Sequence, residues 1–445
     1  MRAARGAKGL ELAVVGGGWA GLAAAVRACE AGHRVTLFEM AGHWGGRARS
    51  VDVHGLALDN GQHILIGAYV RTLALMATVG ADAAGALDRR PLELRYPDGR
   101  GLRMAKGPAW LAFAGAVAGC VGWTWRDRLA LVQTAIAWTL AGFKCAPHLS
   151  VHDLCKTLPS AVRQLLIDPL CVAALNTPAA QASATVFLRV LRDALFGGRG
   201  SADLLLPRRS LSPLLPTPAQ RWLQTRGAHL RLGQRVEQLE STAAGWLVDG
   251  RTFDAVVLAC SAGEAARLAQ PHAPGWSEVA RAMQYEPIVT VYLQCPGARL
   301  VAPMTALREG PDAPAQFVFD HGALGASPGI FAFVVSGARA WIDLGLVATG
   351  EAVQRQARRD FPAATWPSDP TVLRVMAEKR ATFRCTPGLR RPGARIARGL
   401  VAAGDYIEGP YPATLEGAVR SGEAALQWLQ DQAPQVKPGD PRQPA

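Results

Sequence analysis

Short apolar runs separated by glycine-rich turns open the chain. The runs 12–15 and 34–38 predict buried strands, and the segment 22–31 between them predicts a helix. This strand–helix–strand order is typical of an α/β unit with a parallel sheet. Apolar runs that predict further strands recur at 228–232, 235–239, 246–248, 253–259, 288–293, 329–336 and 400–405.

The pattern changes between these strands. Residues 92–104 predict a hairpin that turns at 97–100. Residues 151–212 predict helices that break at Pro169 and at Pro178. A proline-rich linker follows at 213–218, and the segment 433–445, rich in Pro, Gln and Lys, predicts a disordered tail.

The first turn has the spacing of a dinucleotide-binding loop. Gly16, Gly18 and Gly21 match G-x-G-x-x-G between a predicted strand and a predicted helix. Glycines at these places allow a tight turn, close approach of a pyrophosphate, and close packing of the helix on the strand. The pyrophosphate is expected beside Trp19 and Ala20, because the free N–H groups of a helix N-terminus favour negative charge.

Two further features favour FAD over other dinucleotides. Glu39 ends the second predicted strand, near the spacing expected for the acid that binds ribose hydroxyls, and its charge would repel the 2′-phosphate of NADP. Gly45, Gly46 and Arg47 then form a second glycine turn with a cation that can bind a phosphate. A second loop that approaches a phosphate suits the long, extended FAD molecule.

A third glycine-containing segment lies near the C-terminus. Its predicted strand ends at Gly404 and Asp405, which can offer a backbone N–H and a carboxylate to a ribitol hydroxyl or to a water on the pyrophosphate. Glu416, Gly417 and Ala418 begin a predicted helix whose dipole would stabilise negative charge on a reduced flavin. Together with the first loop, this segment predicts FAD bound between the two ends of the chain.

On these motifs the chain resembles the FAD-dependent amine oxidase and phytoene desaturase superfamily. The resemblance covers nearly the whole chain, and the segments 59–63, 168–178 and 412–422 are similar to a subfamily of bacterial hopanoid synthesis. It implies an α/β fold, in which a Rossmann-like FAD-binding domain is assembled from non-contiguous segments and carries an inserted α+β substrate domain.

The resemblance also sets expected domain boundaries. The FAD-binding domain is expected at 1–80, 220–275 and 385–432, with Val236 of the middle segment against the cofactor. The substrate domain is expected at 81–219 and 276–384.

The subfamily resemblance implies reductive removal of the hydroxyl of hydroxysqualene, a long-chain isoprenoid, to give squalene and water. An allylic hydroxyl leaves once it is protonated, and N5 of the reduced flavin then supplies hydride to the allylic cation. Such a site needs a proton donor and an apolar tunnel that excludes water, which the predicted helices 108–143 and 161–196 could line. An unidentified reductant must supply the flavin, since no second dinucleotide motif is apparent.

His63 is the candidate proton donor, because imidazole titrates near neutrality, and Gln62 is the candidate for orienting the hydroxyl. The alternative is that the turn 59–63 only supports the flavin. Neither Asp168 nor Asn176 is expected to be catalytic, since the first could cap a helix end and the second could shape a turn.

Three other functions stay open from the sequence. A polyprenyl or carotenoid desaturase would use the same tunnel and flavin geometry, with hydride flowing from substrate to flavin. An amine oxidase would need an aromatic cage, for which no motif is present. An isoprenoid carrier without flavin catalysis is the non-enzymatic alternative, and the complete motifs at both ends of the chain argue against it.

Composition narrows the classes of partner. The chain has 445 residues, 49% of them hydrophobic, which is enough for two domains and a large core. The net charge of +13 comes without zinc-ligand spacing, an RNA-binding motif or a dense block of cations, so we expect no nucleic acid partner. A diffuse positive surface can instead favour an anionic membrane.

Location follows from the cysteines and from the N-terminus. The eight cysteines form no C-x-x-C pair and predict reduced thiols in a cytoplasmic protein. The basic and apolar N-terminus imitates a signal peptide, but its apolar run is the first predicted strand, so export is not expected.

The stretch 108–125 contains no charge and is rich in Trp, Ala and Gly. Soluble helices that line an apolar pocket are one interpretation, and a helix pair lying on the inner face of the cytoplasmic membrane is another. A membrane-spanning helix is a third, because the length just reaches what a span needs.

Overall fold

The first elements of the fold are those that the sequence predicts. The structure is a computed structural model that describes residues 9–432, so the predicted tail at 433–445 lies outside the described residues. Strand Glu11–Val15, helix Trp19–Glu30 and strand Arg34–Glu39 follow one another. The first strand is almost completely buried, as expected inside a parallel sheet that is covered on both faces.

A six-stranded sheet contains the first glycine loop. Its first five strands run parallel and the last is antiparallel. In spatial order the strands are His229–Leu232, Arg34–Glu39, Glu11–Val15, Ala255–Leu258, Leu400–Ala402 and Arg395–Ala397. They come from three separated stretches of the chain, which confirms the prediction of a Rossmann-like layer built from non-contiguous segments.

Helices cover one face of this sheet. Trp19–Glu30 packs against Leu415–Gln432 and Pro216–Thr225. Leu211 and Leu214 are buried in the same core, although the predicted boundary assigns them to the substrate domain. The other face carries a second core beneath an antiparallel sheet and two helices: Leu239–Thr242, Gly245–Val248, Arg251–Phe253, Ala262–Ala269 and Pro274–Arg281.

A second large sheet is antiparallel and has five strands. In spatial order they are Met304–Ala306, Phe317–Asp320, Ile330–Val335, Tyr285–Gln294 and Thr371–Phe383. Alternate residues face different cores: Phe317 and Phe319 pack with the inserted helices, while Val318 packs in the core beneath helix Leu346–Asp360. This period of two is the ordinary geometry of a strand with two covered faces.

Smaller strands and helices complete the fold. The strand groups are Ser50–Val53 with Leu56–Asp59, Leu65–Ile66 with Leu204–Pro207 and Leu87–Arg90, and Glu93–Arg95 with Gly101–Arg103, the predicted hairpin. The helices are Val70–Thr78, Ala83–Ala86, Ala109–Ala118, Trp125–Leu140, Val151–Cys155, Ser160–Val162, Asp168–Leu175, Ala184–Phe196, Arg339–Leu344 and the 3₁₀ turn Ala363–Thr365.

The predicted helix break at Pro169 is wrong. A π-helical turn, Arg163–Ile167, runs directly into helix Asp168–Leu175. Pro169 lies in the first turn of that helix, where a missing N–H is tolerated. The break near Pro178 is confirmed, because the helix ends at Leu175 and the next residue, Asn176, has a left-handed φ of 47°.

Two other local predictions are also wrong. Residues 204–207 form a strand rather than the end of a helical region, because they pair with Leu65–Ile66 and Leu87–Arg90. The run 235–239 contributes only Leu239 to a strand. Helix Ala109–Ala118, inside the uncharged stretch 108–125, is separate from the following helix Trp125–Leu140. Within residues 9–432 no helix is both long enough and apolar enough to span a membrane.

Candidate active site

One cavity of about 540 Å³ extends from the glycine loop of the parallel sheet to the five-stranded sheet. Most of the residues predicted to bind the cofactor or the substrate lie in its wall. They are Gly16, Gly18, Trp19, Ala20, Glu39, Gly46, Arg47, Gln62, His63, Val236, Gly404, Asp405 and Ala418. A cavity of this size is in the range of cofactor and ligand sites.

The first glycine loop has the geometry of a phosphate cradle. Gly16 has a φ of 116°, and a Cβ there would lie 2.5 Å from the carbonyl oxygen of Ala259. A Cβ on Gly18 would meet no atom closer than 4.0 Å, so this glycine leaves open space toward the cavity. Helix Trp19–Glu30 begins there without a side-chain cap, which leaves its first N–H groups available for a pyrophosphate.

Gly21 serves the packing of this loop and does not line the cavity. A Cβ on Gly21 would lie 1.8 Å from the carbonyl oxygen of Gly16, so a side chain would push the helix away from the loop. Gly21 is therefore not a cofactor contact as predicted. It has the structural role expected of the third glycine, which is to allow close approach of the helix and the strand.

Glu39 is fixed at the end of its strand by two backbone bonds. Oε2 accepts from the N–H of Gly17 at 2.7 Å, and Oε1 accepts from the N–H of Ala41 at 2.8 Å. The side chain is nearly buried and lines the cavity. A carboxylate oxygen has two lone-pair sites, so both oxygens can still accept from ribose hydroxyls.

The second glycine loop is held against the first. Gly45 donates from its N–H to the carbonyl oxygen of Gly17 at 2.9 Å and stays out of the cavity wall. Arg47 does line the cavity, and its Nη2 lies 2.6 Å from Oδ1 of Asp405. Its Nη1 donates to the carbonyl oxygen of Ala381 at 2.6 Å, so this guanidinium ties three separate segments together.

The structure corrects the prediction for Glu416. Its fully buried carboxylate turns away from the cavity and accepts from the N–H and the hydroxyl of Thr72 at 2.9 and 2.7 Å. It also accepts from the N–H of Arg71 and pairs with Arg420 at 2.7 Å. Glu416 therefore caps helix Val70–Thr78, and the physical reason is that the four bonds compensate the burial of the charge.

Gly417 is likewise absent from the cavity wall. A Cβ there would lie 1.9 Å from the carbonyl oxygen of Tyr411, so glycine is needed for close packing of the preceding turn. Ala418 does line the cavity, together with Thr414 and Leu415 at the start of the helix. The helix end is thus beside the cavity as predicted, but neither the Glu416 side chain nor Gly417 contributes to its wall.

The far part of the cavity is apolar. Its wall includes Val172 from the predicted helical segment 161–196, and apolar residues that the sequence did not single out: Ile64, Ile288, Phe317, Phe319, Val334 and Met376. Several alternate along strands of the five-stranded sheet, and this alternation was their only signal in the sequence. Asn176 is also in the wall, and its amide is bound to Glu286, Thr382 and Gly337, which supports the expected structural role.

His63 and Gln62 lie in this wall, beside the apolar residues. Nδ1 of His63 is 2.8 Å from the carbonyl oxygen of Gly61, so Nδ1 carries a proton and Nε2 is left for a ligand. Burial lowers the pKa of His63, and the charge of Arg47 acts in the same direction, while the bond to Gly61 opposes both. Oε1 of Gln62 is 3.1 Å from Nε2 of His321.

Other reactive groups are less suited to chemistry here. Cys260 lines the cavity, but burial raises the pKa of its thiol to about 12, so it stays protonated. The eight cysteines are all free thiols. Within residues 9–432 no group of three or more His, Cys, Asp or Glu side chains could hold a metal ion.

Several solved structures have a similar fold. An oxidoreductase from Methanosarcina mazei has a TM-score of 0.70, with 17% identity over 94% of this chain and 99% of the other. Putrescine oxidase with bound putrescine has a TM-score of 0.66, with 18% identity over 95% and 99%. Reduced UDP-galactopyranose mutase has a TM-score of 0.68, with 13% identity over 95% and 94%.

The fold, the uncapped glycine loop, Glu39 and the Gly404–Asp405 turn define an FAD-dependent oxidoreductase. Residues 19–426 match the model of the flavin containing amine oxidoreductases, and the chain belongs to this family. The residues described above fit the adenine ribose and pyrophosphate of FAD.

Several curated relatives are similar along most of the chain. Hydroxysqualene dehydroxylase of Rhodopseudomonas palustris is 29% identical over 93% of this chain and 96% of its own length. The protein of the same name from Sinorhizobium fredii is 28% identical with the same coverage. A probable zeta-carotene desaturase of Synechococcus elongatus is 25% identical over 65% of this chain and 66% of its own.

Proposed function

We propose that the protein is a hydroxysqualene dehydroxylase that converts hydroxysqualene reductively to squalene and water. The observation that carries this proposal is one continuous cavity whose wall combines His63 and Gln62 with the nucleotide loops and with apolar side chains. A long hydrocarbon with one hydroxyl matches that distribution of polar and apolar groups. Relatives that carry this name are similar to the chain over almost their full length, which gives independent support.

FAD held by the glycine loops and Glu39, once reduced by an external reductant, would supply the hydride that carbon receives. The task of the protein is to make the hydroxyl a better leaving group by giving it a proton. His63 can hold that proton on Nε2, because Nδ1 is occupied by Gly61. Burial lowers the pKa of His63, so its imidazolium is a stronger acid than the imidazolium of an exposed histidine, which favours transfer to a weakly basic hydroxyl oxygen.

The apolar wall protects the allylic cation that forms when water leaves. Phe317 and Phe319 present no lone pairs that could add to a carbocation as water would. Val334 and Ile288 extend the same surface along the five-stranded sheet. Exclusion of bulk water from this region favours hydride transfer over return to the alcohol.

The direct test is a single turnover without oxygen. Photoreduced enzyme mixed with hydroxysqualene should produce squalene as the absorbance of oxidised flavin returns. The amount of squalene formed should equal the amount of flavin reoxidised. If the alcohol is recovered unchanged while a more saturated polyprenyl substrate gains double bonds and reduces the oxidised enzyme, the protein is a desaturase instead. The similarity to a probable zeta-carotene desaturase keeps that second function relevant.

We further propose that this enzyme takes its lipid from an anionic membrane surface. Five apolar side chains of helix Trp125–Leu140 form one exposed stripe: Trp125, Leu129, Val132, Ile136 and Leu140. Their spacing of three or four residues is that of a helix face which normally packs inside a protein. Trp110, Leu111 and Val121 are exposed in the neighbouring helix and turn.

Charge supports an anionic bilayer as the partner of this stripe. The exposed side chains of Arg103, Lys106, Arg126 and Lys144 flank the two helices, whereas Asp127 is occupied in capping the second helix. Cations beside an apolar face are typical of helices that lie in a membrane interface. The eight free thiols suit a reducing compartment, so we place the contact on the cytoplasmic side.

A further inference from the structure

His321 holds the side chain of Gln62 at the wall of the main cavity. His321 directly follows strand Phe317–Asp320, while Gln62 follows strand Leu56–Asp59. The two side chains meet with Nε2 of His321 3.1 Å from Oε1 of Gln62. An amide oxygen can only accept a hydrogen bond, so the imidazole carries its proton on Nε2.

The orientation of His321 is fixed by its surroundings. Burial lowers its pKa to about 4, although Asp320 acts in the opposite direction, so the ring is neutral and has a single N–H to donate. The ring packs edge-on against Tyr292, with centroids 5.7 Å apart and an interplanar angle of 84°. The Tyr292 hydroxyl donates to the carbonyl oxygen of Asp59 at 3.0 Å, which ties the sheet to the segment that carries Gln62.

Gln62 separates two spaces of different character. It lines the main cavity and also a chamber of about 20 Å³, which is lined further by Asp59, Ser210 and His321. Such a chamber has room for about one water molecule. Oε1 is bound by His321, and the amide nitrogen has no hydrogen-bond partner among residues 9–432, so it is free to donate to a ligand in the main cavity that Gln62 lines.

We propose that His321 is a positioning residue, which orients Gln62 so that its amide N–H donates to the hydroxyl oxygen of the substrate. This inference rests on the proposed dehydroxylation. In that reaction the C–O bond breaks, the oxygen takes a proton and leaves as water, and carbon receives hydride from the reduced flavin. The hydroxyl oxygen has two lone pairs, one for the Gln62 N–H and one for the proton.

The orientation of Gln62 also makes the site prefer the alcohol hydroxysqualene over the hydrocarbon squalene. Hydroxysqualene offers an acceptor to the amide, whereas squalene has no oxygen and leaves the N–H groups without a partner. An unpaired buried donor weakens binding of the product relative to the substrate. His321 therefore contributes indirectly to the preference for the alcohol and to release of the hydrocarbon.

The test measures this preference as the ratio of the dissociation constants of squalene and hydroxysqualene. Both are titrated in mixed micelles against oxidised enzyme, with flavin absorbance as the signal. We expect Gln62→Leu to lower the ratio about tenfold, the effect of one hydrogen bond. His321→Asn should do the same, because its amide is too short to reach Oε1. His321→Gln should keep the ratio, because its amide nitrogen lies where Nε2 does.

The double variant Gln62→Leu/His321→Asn should be no worse than Gln62→Leu, since both changes remove one interaction. A ratio unchanged by His321→Asn, or a further drop in the double variant, overturns the inference. If His321→Asn fails to bind FAD, the His321→Gln variant decides. A folded His321→Gln enzyme whose ratio of dissociation constants is as low as that of Gln62→Leu also overturns the inference. Wild-type enzyme that neither prefers nor reduces hydroxysqualene refutes the proposed function itself.

Discussion

Arg47 and Asp405 are 358 residues apart in the chain and form an ion pair of 2.6 Å in the wall of the cavity. Each belongs to a loop that the sequence assigns to the cofactor. Asn60 donates to the carbonyl oxygen of Arg47 and to Glu378, which extends the contact to the five-stranded sheet. One guanidinium therefore fixes the second glycine loop, the C-terminal turn and the substrate side of the cavity relative to one another.

Gly18→Ala should fold normally and lose FAD affinity. A Cβ at this position meets no protein atom closer than 4.0 Å, so it would occupy only the space that the pyrophosphate needs. We expect FAD to bind at least tenfold more weakly, measured by titration of apoenzyme. Gly115→Ala, on an exposed helix position with free space, is the control and should leave the affinity unchanged. Equal affinities would place the pyrophosphate elsewhere.

Glu416→Ala should reduce stability rather than native-state cofactor affinity. The buried carboxylate caps helix Val70–Thr78 and pairs with Arg420, and its loss leaves several donors without a partner. We expect the free energy of unfolding to fall by about 3 kcal/mol. Glu351→Ala removes an exposed acid and should cost less than about 0.5 kcal/mol. A large rise in the FAD dissociation constant with unchanged stability would show that Glu416 acts in cofactor binding instead.

Asp59→Asn should flatten the pH dependence of stability. Burial raises the pKa of Asp59 from 3.8 to about 7, so between these values the native state keeps a proton that the unfolded chain releases. The contribution of Asp59 to wild-type stability therefore falls as pH rises from 4 to 7, by at most roughly 4 kcal/mol, and is level above that range. The asparagine oxygen can still accept from the N–H of Leu211. Urea unfolding at pH 5 and pH 8 measures the effect, and equal slopes in both proteins would contradict it.

The rate of the chemical step should rise as the pH falls from 9 toward 7. The lowered pKa of His63 leaves a small imidazolium fraction at neutral pH, and above the pKa that fraction grows about tenfold for each unit by which the pH falls. Stopped-flow reoxidation of reduced enzyme by hydroxysqualene follows the step. His63→Ala should be slow and independent of pH, while Asp59→Asn should keep the slope. A wild-type rate without pH dependence would remove His63 as the proton donor.

Trp125→Ser/Leu140→Ser should weaken membrane binding. Both side chains are largely exposed, at 66% and 84%, and insertion of their apolar surface would drive adsorption. We expect at least a tenfold lower affinity for phosphatidylglycerol vesicles in sedimentation assays. Val301→Ser/Val347→Ser changes two exposed apolar residues outside the stripe and is the matched control. Equal losses in both pairs would show that the stripe is not a specific membrane surface.

Local patterns predicted the strands that flank the first loop and the hairpin at 92–104, because burial on one or both faces leaves a periodic signal in sequence. They failed where a distant partner overrides the local preference. Residues 204–207 lie next to a helical region, yet they pair with strands from the first hundred residues. Pro169 reads as a break, yet a π-helical turn precedes it and carries the chain into the next helix without interruption.

The sequence by itself determined the cofactor and the family, since the spacing of Gly16, Gly18 and Gly21 before a helix is a local requirement of phosphate binding. Only the tertiary structure decided that Glu416 caps a helix and that His321 reaches Gln62. Those contacts join residues 344 and 259 positions apart. Side-chain direction at such positions depends on how separate layers pack, and no local pattern encodes that packing.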